Sequence, residues 1–434
     1  MISKISDQIG INRIVLALSM ARMGDAIGNS ILFIVIPLYV AKLPAPWFPF
    51  PESVRVGILI SVFGLTNALL QPFTGALSDR LGKRKPLIEL GLVLVGLAIV
   101  AFVFAGQFWH LLGLRTIQGV GVALTVPASL AIMSSATEKR TRGGSMGFFS
   151  SSRMVGFAFG PLLGGYLYDH FGFNAAFFAG FGFIVIGLLA VQFWVREVEP
   201  PPGAAQEAKQ SFKIFDRDLL SVGILGAALA TFIMAGDFSM ISALENEFNV
   251  RLSQTATSFG IAFSALMVGR LVFQIPLGRL SDKIGRKPVI IAGLILMAPA
   301  TAFLGYVATT FQFVGVRLVQ GLASAAIAAP AFAVAADLSK SGGEGRQMSI
   351  IAMGFGLGIA LGPLAAGILA VNSFALPFVI GGVLALFAGW VVFQFVPETV
   401  DREDQSEHRP EEQEEERVQD RGQSEPCSSP ARGD

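Results

Sequence analysis

A small set of ionisable side chains stands inside long apolar runs: Arg22 with Asp25, then Arg115, Arg153, Asp237, Arg270 and Arg317. A charge in such a run costs at least a few kcal/mol if the run crosses a bilayer, so each needs a partner, water or a task. A carboxylate that a cation can approach and leave is a switchable proton acceptor, because the cation favours its charged form and burial its neutral one. Arginines without acids suit carboxylate or phosphate recognition. The chemistry on offer is therefore proton binding and anion recognition, with no bond making. His110, His170 and His408 are scattered and the single Cys427 sits in a polar tail, which leaves no metal-ligand cluster and no disulfide framework. No constellation for nucleophilic, metal or acid–base catalysis is visible and no nucleotide-binding loop is present. The sequence thus predicts neither an enzyme nor a cofactor, metal or nucleic-acid partner.

The composition says what must position these residues. At 53% hydrophobic and 15% charged, with a mean hydropathy of +0.63, the chain is too apolar for a soluble protein, whose charged fraction is nearer 25%. A lipid bilayer is the expected solvent. Windows of about 20 apolar residues place helices near 14–42, 54–77, 87–107, 109–133, 146–168 and 175–195, and a second set near 218–244, 254–277, 288–308, 311–336, 347–370 and 374–396. The two sets are copies. GALSDRLGKRKP at 75–86 returns as GRLSDKIGRKP at 278–288, Arg115, Gln118 and Gly119 return as Arg317, Gln320 and Gly321, and Gly160, Pro161 and Gly165 return as Gly362, Pro363 and Gly367, all displaced by 202 or 203. A parallel repeat in a hydrophobic chain marks several transporter architectures.

The predicted organisation is an all-α integral membrane fold of about twelve helices: a first six-helix bundle at 1–195, a linker at 196–217, a second bundle at 218–400 and a disordered acidic tail at 401–434. Lys and Arg crowd alternate loops, at Lys83, Arg84 and Lys85, at Lys139, Arg140 and Arg142, at Lys209 and Lys213, at Arg279, Lys283, Arg286 and Lys287, and at Lys340 and Arg346. These loops are expected in the cytoplasm, with both termini there, in a multi-pass plasma-membrane protein. The opposite loops hold mainly Lys42, Arg55 and Arg251. No cleavable signal peptide is expected, since the first apolar run continues into a spanning segment. The tail carries twelve acidic and five basic residues, which leaves 1–400 at +8. It reads as a solubilising extension. Trp47, Trp109, Trp194 and Trp390 fall at predicted helix ends, as interfacial anchors do.

At these residues the chain resembles the major facilitator superfamily, over roughly 12–398. Gly75, Leu77, Asp79, Arg80, Gly82, Lys83 and Arg84 match that family's loop motif between helices 2 and 3, and Gly278, Leu280, Asp282, Lys283, Gly285 and Arg286 repeat it. The resemblance implies two six-helix bundles around a central cavity, alternating access, and a conformational latch formed by this loop. Asp79 near a helix N-terminus suits a switchable cap or ion pair, while the basic residues alone would also fix topology. In helix 5, Gly147, Gly156, Gly160, Pro161, Gly164 and Gly165 match the motif associated with facilitator antiporters. The same glycines form a small-residue stripe for close helix packing. Ile27, Gly28, Val35 and Pro37 resemble the helix 1 motif of the twelve-helix drug:proton antiporter group, with Ile34 where that pattern has its first proline.

At 1.5 Å rise per residue, Asp25 is placed roughly 16 Å from the cytoplasmic edge of a ~30 Å core and Arg115 about 9 Å from the outer edge, a difference that an Arg side chain can bridge. Asp25 is the expected proton acceptor and Arg115, by the motif resemblance, its electrostatic control. The alternative is a permanent structural ion pair. Asp237, with Glu245 and Glu247 further along helix 7, is a second candidate carboxylate. Arg22, Asn29, Gln118, Arg153, Arg270, Arg317 and Gln320 are candidate cavity residues. The resemblance sets helix 5 facing helix 8, so Arg153 and Arg270 turn toward one interface and need water or an anion between them. The leading expectation is a proton-coupled exporter of small amphiphilic compounds or drugs, acting as a monomer. The alternative is a transporter of organic anions or phosphorylated metabolites through the arginines. Sugar or metabolite uptake, suggested by Pro397, Glu398 and Thr399, and a non-transporting receptor carry less.

Overall fold

The computed structural model describes residues 12–81, 83–137, 141–197, 221–338 and 344–399, with all their side chains but those of 79, 142, 143 and 344–346. Most of the expected linker and the whole acidic tail lie outside the described residues. Among the described residues the regular structure is helical throughout. The first bundle comprises α1 (Arg13–Lys42), α2 (Glu52–Leu81), α3 (Lys85–Ala101), α4 (Phe108–Ala136) and a segment Arg142–Trp194. That segment is too long for one crossing: its 53 residues at ~1.5 Å each would more than double a ~30 Å core. It folds in two at Gly172, whose φ of 80° is open to glycine at no steric cost. We call the part before the break α5 and the part after it α6. The second bundle comprises α7 (Val222–Ser239), α8 (Ala256–Ile284), α9 (Arg286–Phe303), α10 (Thr310–Asp337), α11 (Glu344–Ala370) and α12 (Leu376–Phe395). Eleven segments are long and apolar enough to cross a membrane, and the break at Gly172 makes them twelve.

The expected elements are present, with two instructive differences. The single span expected over 218–244 ends early at Ser239, passes through a 3-10 turn Met240–Ala243 and is followed by a short helix Glu245–Arg251. Helices at the Lys/Arg-rich end outrun their apolar windows, because charged side chains there reach headgroups and water while the backbone stays helical. Sequence-encoded caps set several ends. The Asn12 side chain accepts from Val15 N at 2.9 Å, and Thr255 and Thr309 cap α8 and α10 in the same way. Large apolar side chains such as Leu97, Phe193, Ile275 and Leu386 point outward and exposed on these helices, which only an apolar solvent accommodates.

The bundles meet along two helix pairs, α5 with α8 and α2 with α11, and the contacts gather at the end away from the Lys/Arg-rich loops. A Cβ at Gly57 would stand 2.7 Å from Pro363 O, and one at Gly260 would stand 2.9 Å from the carbonyl carbon of Pro161. Those are repeat-related positions, and no side chain fits in either. Gly165 on Ala256 and Thr257, and Gly367 on Ser53 and Val54, form a second such couple nearer the rim. Ser53 Oγ donates to Gly367 O at 3.2 Å, Ser61 Oγ donates to Ala360 O, and Asp169 accepts from Thr257 N at 2.8 Å and from its hydroxyl. Toward the other end the bundles diverge: Gly147 and Gly356 have nothing within 4 Å of an added Cβ, while Gly75 and Gly278 meet only Pro127 and Ala329 of their own bundles.

The seal therefore depends on bare backbone. Replacing Gly165 by Leu inserts a side chain where Thr257 Cα lies 2.8 Å from the Cβ position, and overpacking of this kind costs about 1–3 kcal/mol. Spin labels across the far end are expected to move apart in Gly165→Leu, with helical circular dichroism unchanged. Identical distance distributions would show that the seal does not need the glycine.

Candidate functional site

Helix α1 is gripped from two sides. Gly156, Gly160 and Gly164 of α5 lie against Met23, Ala26, Ile27, Ser30 and Ile31, and a Cβ at Gly156 would stand 2.6 Å from Ala26 Cβ. From α6, Gly180 O lies 3.0 Å from the Cβ position of Gly28. Ser30 Oγ donates to Gly156 O at 3.3 Å and to Ile27 O at 3.1 Å. This packing fixes the rotation of α1 and turns Arg22 and Asp25 toward α5. Arg22 Nη1 and Asp25 Oδ2 are 3.0 Å apart, and Asn29 Nδ2 donates to Asp25 Oδ1 at 2.7 Å. The pair is buried, Arg22 8% and Asp25 5% exposed. Breaking a buried pair by removing one partner leaves the other charge uncompensated, at about 3–5 kcal/mol.

Arg153 stands one turn before Gly156 on α5, close enough for its charge to act on both Arg22 and Asp25, and also on Arg270 of α8. Its guanidinium lies over the Phe157 ring at 5.3 Å, and that of Arg270 over Phe355 at 5.1 Å. Neither arginine makes a hydrogen bond or ion pair among the described residues, and Arg270 Nε is buried without an acceptor. Directly on the sealed side, Phe33 stacks on Phe263 across the two bundles at 5.9 Å and meets Phe157 at 6.1 Å. An aromatic floor thus closes the space between the bundles. Beneath it lie one carboxylate and three guanidiniums, of which one is paired.

The other expected residues take different places. Arg115 donates to Gln118 Oε1 at 3.2 Å and lies over Phe63, and the structure pairs Asp25 with Arg22 instead of Arg115. Arg317 donates to Gln320 Oε1 at 2.7 Å and to Phe238 O at 3.1 Å, Gln320 donates to Thr301 Oγ1 at 2.9 Å, and the Thr301 hydroxyl reaches Asp237 Oδ2 at 3.4 Å. Arg317, Gln320 and Gln118 are completely buried inside their own bundles, and Arg115 and Asp237 nearly so. Buried this way, they present almost no surface to the space between the bundles, although Arg115 Nε, Gln118 Nε2 and Arg317 Nε have no hydrogen-bond partner among the described residues. Arg22, Asn29, Arg153 and Arg270 remain around that space. Glycine rotational registry, which single-residue burial arguments ignore, is the reason for the difference.

At the Lys/Arg-rich end, Gly82 and the Asp79 side chain lie outside what is described. Arg80 is exposed, while Arg84 is buried and donates to Ala131 O at 3.1 Å and Ser135 Oγ at 3.0 Å. In the second copy Arg286 bonds Asp282, donates to Ser281 Oγ at 2.9 Å and approaches Asp337 at 3.4 Å, while Gly285 takes φ 110°. Two acids complete these corners: Glu197, which the motif reading missed, and Glu398, which it took only as part of a sugar-uptake signature. The Glu197 carboxylate accepts from Arg84 N at 2.7 Å and Lys85 N at 3.1 Å, and the Glu398 carboxylate accepts from Arg286 N at 2.8 Å and Lys287 N at 3.2 Å. Each acid caps the start of the third helix of its bundle from the far end of the sixth, where the helix dipole favours a negative charge. Glu197 and Glu398 are displaced by 201 residues, so the repeat could have revealed them. Among the described residues no group of His, Cys, Asp and Glu could hold a metal ion.

The profile described as Major Facilitator Superfamily matches residues 18–249 and 227–429. The chain belongs to this superfamily. The "Uncharacterized MFS-type transporter YuxJ" of Bacillus subtilis is 34% identical over 55% of this chain, a match that spans 62% of that relative's own length. The "Multidrug resistance protein MdtG" of Klebsiella pneumoniae is 26% identical over 86% of this chain and 89% of its own. In three dimensions the chain is similar to a bacterial homolog of the human lysosomal transporter Spinster, in an inward-facing and unoccupied conformation, with a TM-score of 0.73 at 16% identity over 88% of this chain and 96% of that one. It is also similar to a D-xylose–proton symporter, with a TM-score of 0.73 at 18% identity over 89% and 98%. At such identities the likeness concerns the fold, two superfamily bundles with a seam between them. Within the superfamily frame the two capping acids make a direct prediction. Glu398→Ala and Glu197→Ala should each lower stability by about 0.5–2 kcal/mol, the range for a lost helix cap. Their effects should add, since they sit in different bundles. Thermal unfolding of the single and double variants in detergent checks both statements.

Proposed function

We propose that this chain is a secondary active transporter of the cell membrane that exports small amphiphilic compounds in exchange for protons. It works by alternating access, with the Lys/Arg-rich loops and both termini in the cytoplasm. The observation that carries the reading is the buried Arg22–Asp25 pair, held by Asn29 and set immediately under an aromatic floor. With the far end sealed and the bundles diverging toward the basic loops, a compound from the cytoplasm would reach this pair without crossing the seal. Phe33, Phe157, Phe263 and Phe355 supply apolar contact for it. Arg22 has two ways to be satisfied, Asp25 or a bound compound. Asp25 is a poor proton acceptor while Arg22 holds it and a good one once Arg22 is drawn away, because a neighbouring cation favours the carboxylate and a low-dielectric site disfavours it. Substrate binding and proton binding then compete for one ion pair, which is the requirement of exchange. Exchange in the outward direction is supported by the antiporter-like stripe Gly156, Gly160 and Gly164, which seats α1, and by the multidrug resistance relatives.

A second reading concerns the charge of the compound. Among the described residues Arg153 and Arg270 have no ion-pair partner, and with Arg22 and Asp25 they leave the space between the bundles net positive. Organic anions or phosphorylated metabolites bridging Arg153 and Arg270 would satisfy both guanidiniums by charge-assisted hydrogen bonds, each worth about 1.5–3 kcal/mol.

Inside-out vesicles with an acidic interior test both. Addition of a substrate is expected to collapse the pH gradient, and Asp25→Asn is expected to abolish the collapse. Export that still concentrates substrate in Asp25→Asn under a pH gradient refutes proton exchange at this residue. Collapse by anions, weakened about tenfold to a hundredfold in affinity by Arg153→Gln or Arg270→Gln, favours the anion reading. A response to lipophilic cations that ignores both substitutions removes it.

A further inference from the structure

The seal buries an acid that the exchange above does not use. Glu245 opens the short helix Glu245–Arg251, which lies between the spans α7 and α8 at the far end. It is 0% exposed, and neither carboxylate oxygen has a hydrogen-bond partner of good geometry. It has no ion-pair partner among the described residues. The acids around it are treated differently. Asp169 of α5 accepts from the N–H and hydroxyl of Thr257 across the seam, and Glu52 of α2 accepts from Asn246, whose amide also donates to Pro37 O at 3.2 Å. Both are matched by neutral donors from the opposite bundle, whereas Glu245 accepts no hydrogen bond from the opposite bundle among the described residues.

An unpartnered carboxylate taken out of water costs several kcal/mol, and a protonated carboxyl costs far less. The charged groups in this corner add to the penalty. Asp169 acts on Glu245 with like charge, as both act on Tyr168, and Glu52 acts in the same sense on Glu247. Arg251 at the end of the short helix lies over the Phe374 ring at 4.1 Å, and Lys42 of α1 lies over Phe173 at 4.8 Å. Tyr39 of α1 donates its hydroxyl to Ala105 O. The adjoining stretches 256–267 of α8, 310–316 of α10 and 376–382 of α12 contain no titratable side chain. Burial pushes the Glu245 carboxyl well above the ordinary range, Asp169 pushes it the same way, and Asn249 partly opposes them.

We propose that Glu245 is a proton-binding site of the seal: the far end closes on the protonated carboxyl and is released when the proton leaves. The proton comes from water on the far side and returns to it when the seam parts, so Glu245 moves no net charge. It sets which way the protein faces. The idea rests on the orientation given under the proposed function, and it makes acid outside favour the cytoplasm-facing form. The sign follows from linkage. A group whose closed-state pKa lies above its open-state value favours closure in full below the open-state pKa, and the preference is lost as pH rises through the closed-state pKa.

The test uses the full chain with Cys427→Ser and spin labels at Phe171→Cys and Phe311→Cys, two exposed positions at the far ends of opposite bundles. Distances are measured without substrate or gradient between pH 5 and pH 9. The unsubstituted Glu245 background should pass from a short to a long population as pH rises, the closed-to-open ratio falling by up to about tenfold per unit. Glu245→Gln and the apolar Glu245→Met should stay in the short population throughout, and Glu245→Asp should keep the transition. In parallel, the protonated-carboxyl stretch in the infrared difference spectrum between the two pH limits should lose one component in Glu245→Gln. A transition that persists unchanged in Glu245→Gln, or one lost in Asp25→Asn instead, overturns the proposal. Because no flux is measured, proton exchange at Asp25 can fail while this result stands, and the reverse.

Discussion

The structure depends on how closely two helices can approach when one of them presents glycine. α5 and α11 carry their glycines on two faces. Gly156, Gly160 and Gly164 receive α1, as Gly354, Gly358 and Gly362 receive α7, while Gly165 and Gly367 meet the opposite bundle. One helix per bundle therefore fixes both the rotation of the charged helix inside the bundle and the depth at which the bundles touch. Backbone contact of this kind has no side chain to adjust, so the seam is either formed or parted, which suits a protein with two faces. In a bilayer, where burial of apolar side chains gives little net drive between helices, this close packing is the main attraction available.

Charge is arranged against that frame. Inside the bundles each buried cation is matched where it can be: Arg22 by Asp25, and Arg317 by Gln320 and the Phe238 carbonyl. Among the described residues Arg153 and Arg270 make no ion pair or hydrogen bond and the acid Glu245 has no cation, and all three lie at surfaces that one bundle presents to the other. A group unsatisfied at a fixed core position is a defect. At a surface that opens and closes, the same group makes one of the two arrangements depend on what else is bound there, whether proton or anion.

Much of this was legible in the sequence because it was written twice. Composition and apolar windows gave the solvent and the spans, and the displacement of 202–203 residues gave two bundles before any geometry. The site was harder to read. Asp25 and Arg22 were visible as charges in an apolar run, but depth arithmetic suggested Arg115 as the partner, because rise along a helix says nothing about which way a side chain faces around it. The rotation of α1 comes from Ala26 and Ser30 nesting on Gly156 and Gly160, a fact of packing. Asp237, expected as a second candidate carboxylate, and Gln320, expected as a cavity residue, are joined through Thr301 within the second bundle. The burial of Glu245 is not legible at all, since nothing in its neighbours' identities says that the other bundle will cover it.

The repeat also isolates what is not repeated. Ser30 Oγ donates to Gly156 O and Ser239 Oγ donates to Gly358 O, so α1 and α7 sit in equivalent cradles. Aligning the two serines sets Arg22, Asp25 and Asn29 opposite Thr231, Met234 and Phe238. Arg153 falls opposite Phe355, the ring that receives Arg270 from the neighbouring helix. Equivalent backbone thus carries an ion pair in one bundle and an apolar surface with a single cation in the other. A symmetric frame is what rocking motion about a pseudo-two-fold requires, since both faces must then be of similar stability. The lining is free of that symmetry, because the contacts that join the bundles are made by backbone and glycine and not by these side chains. The first bundle presents an ion pair to the space between the bundles, and the second presents an aromatic wall with its own guanidinium.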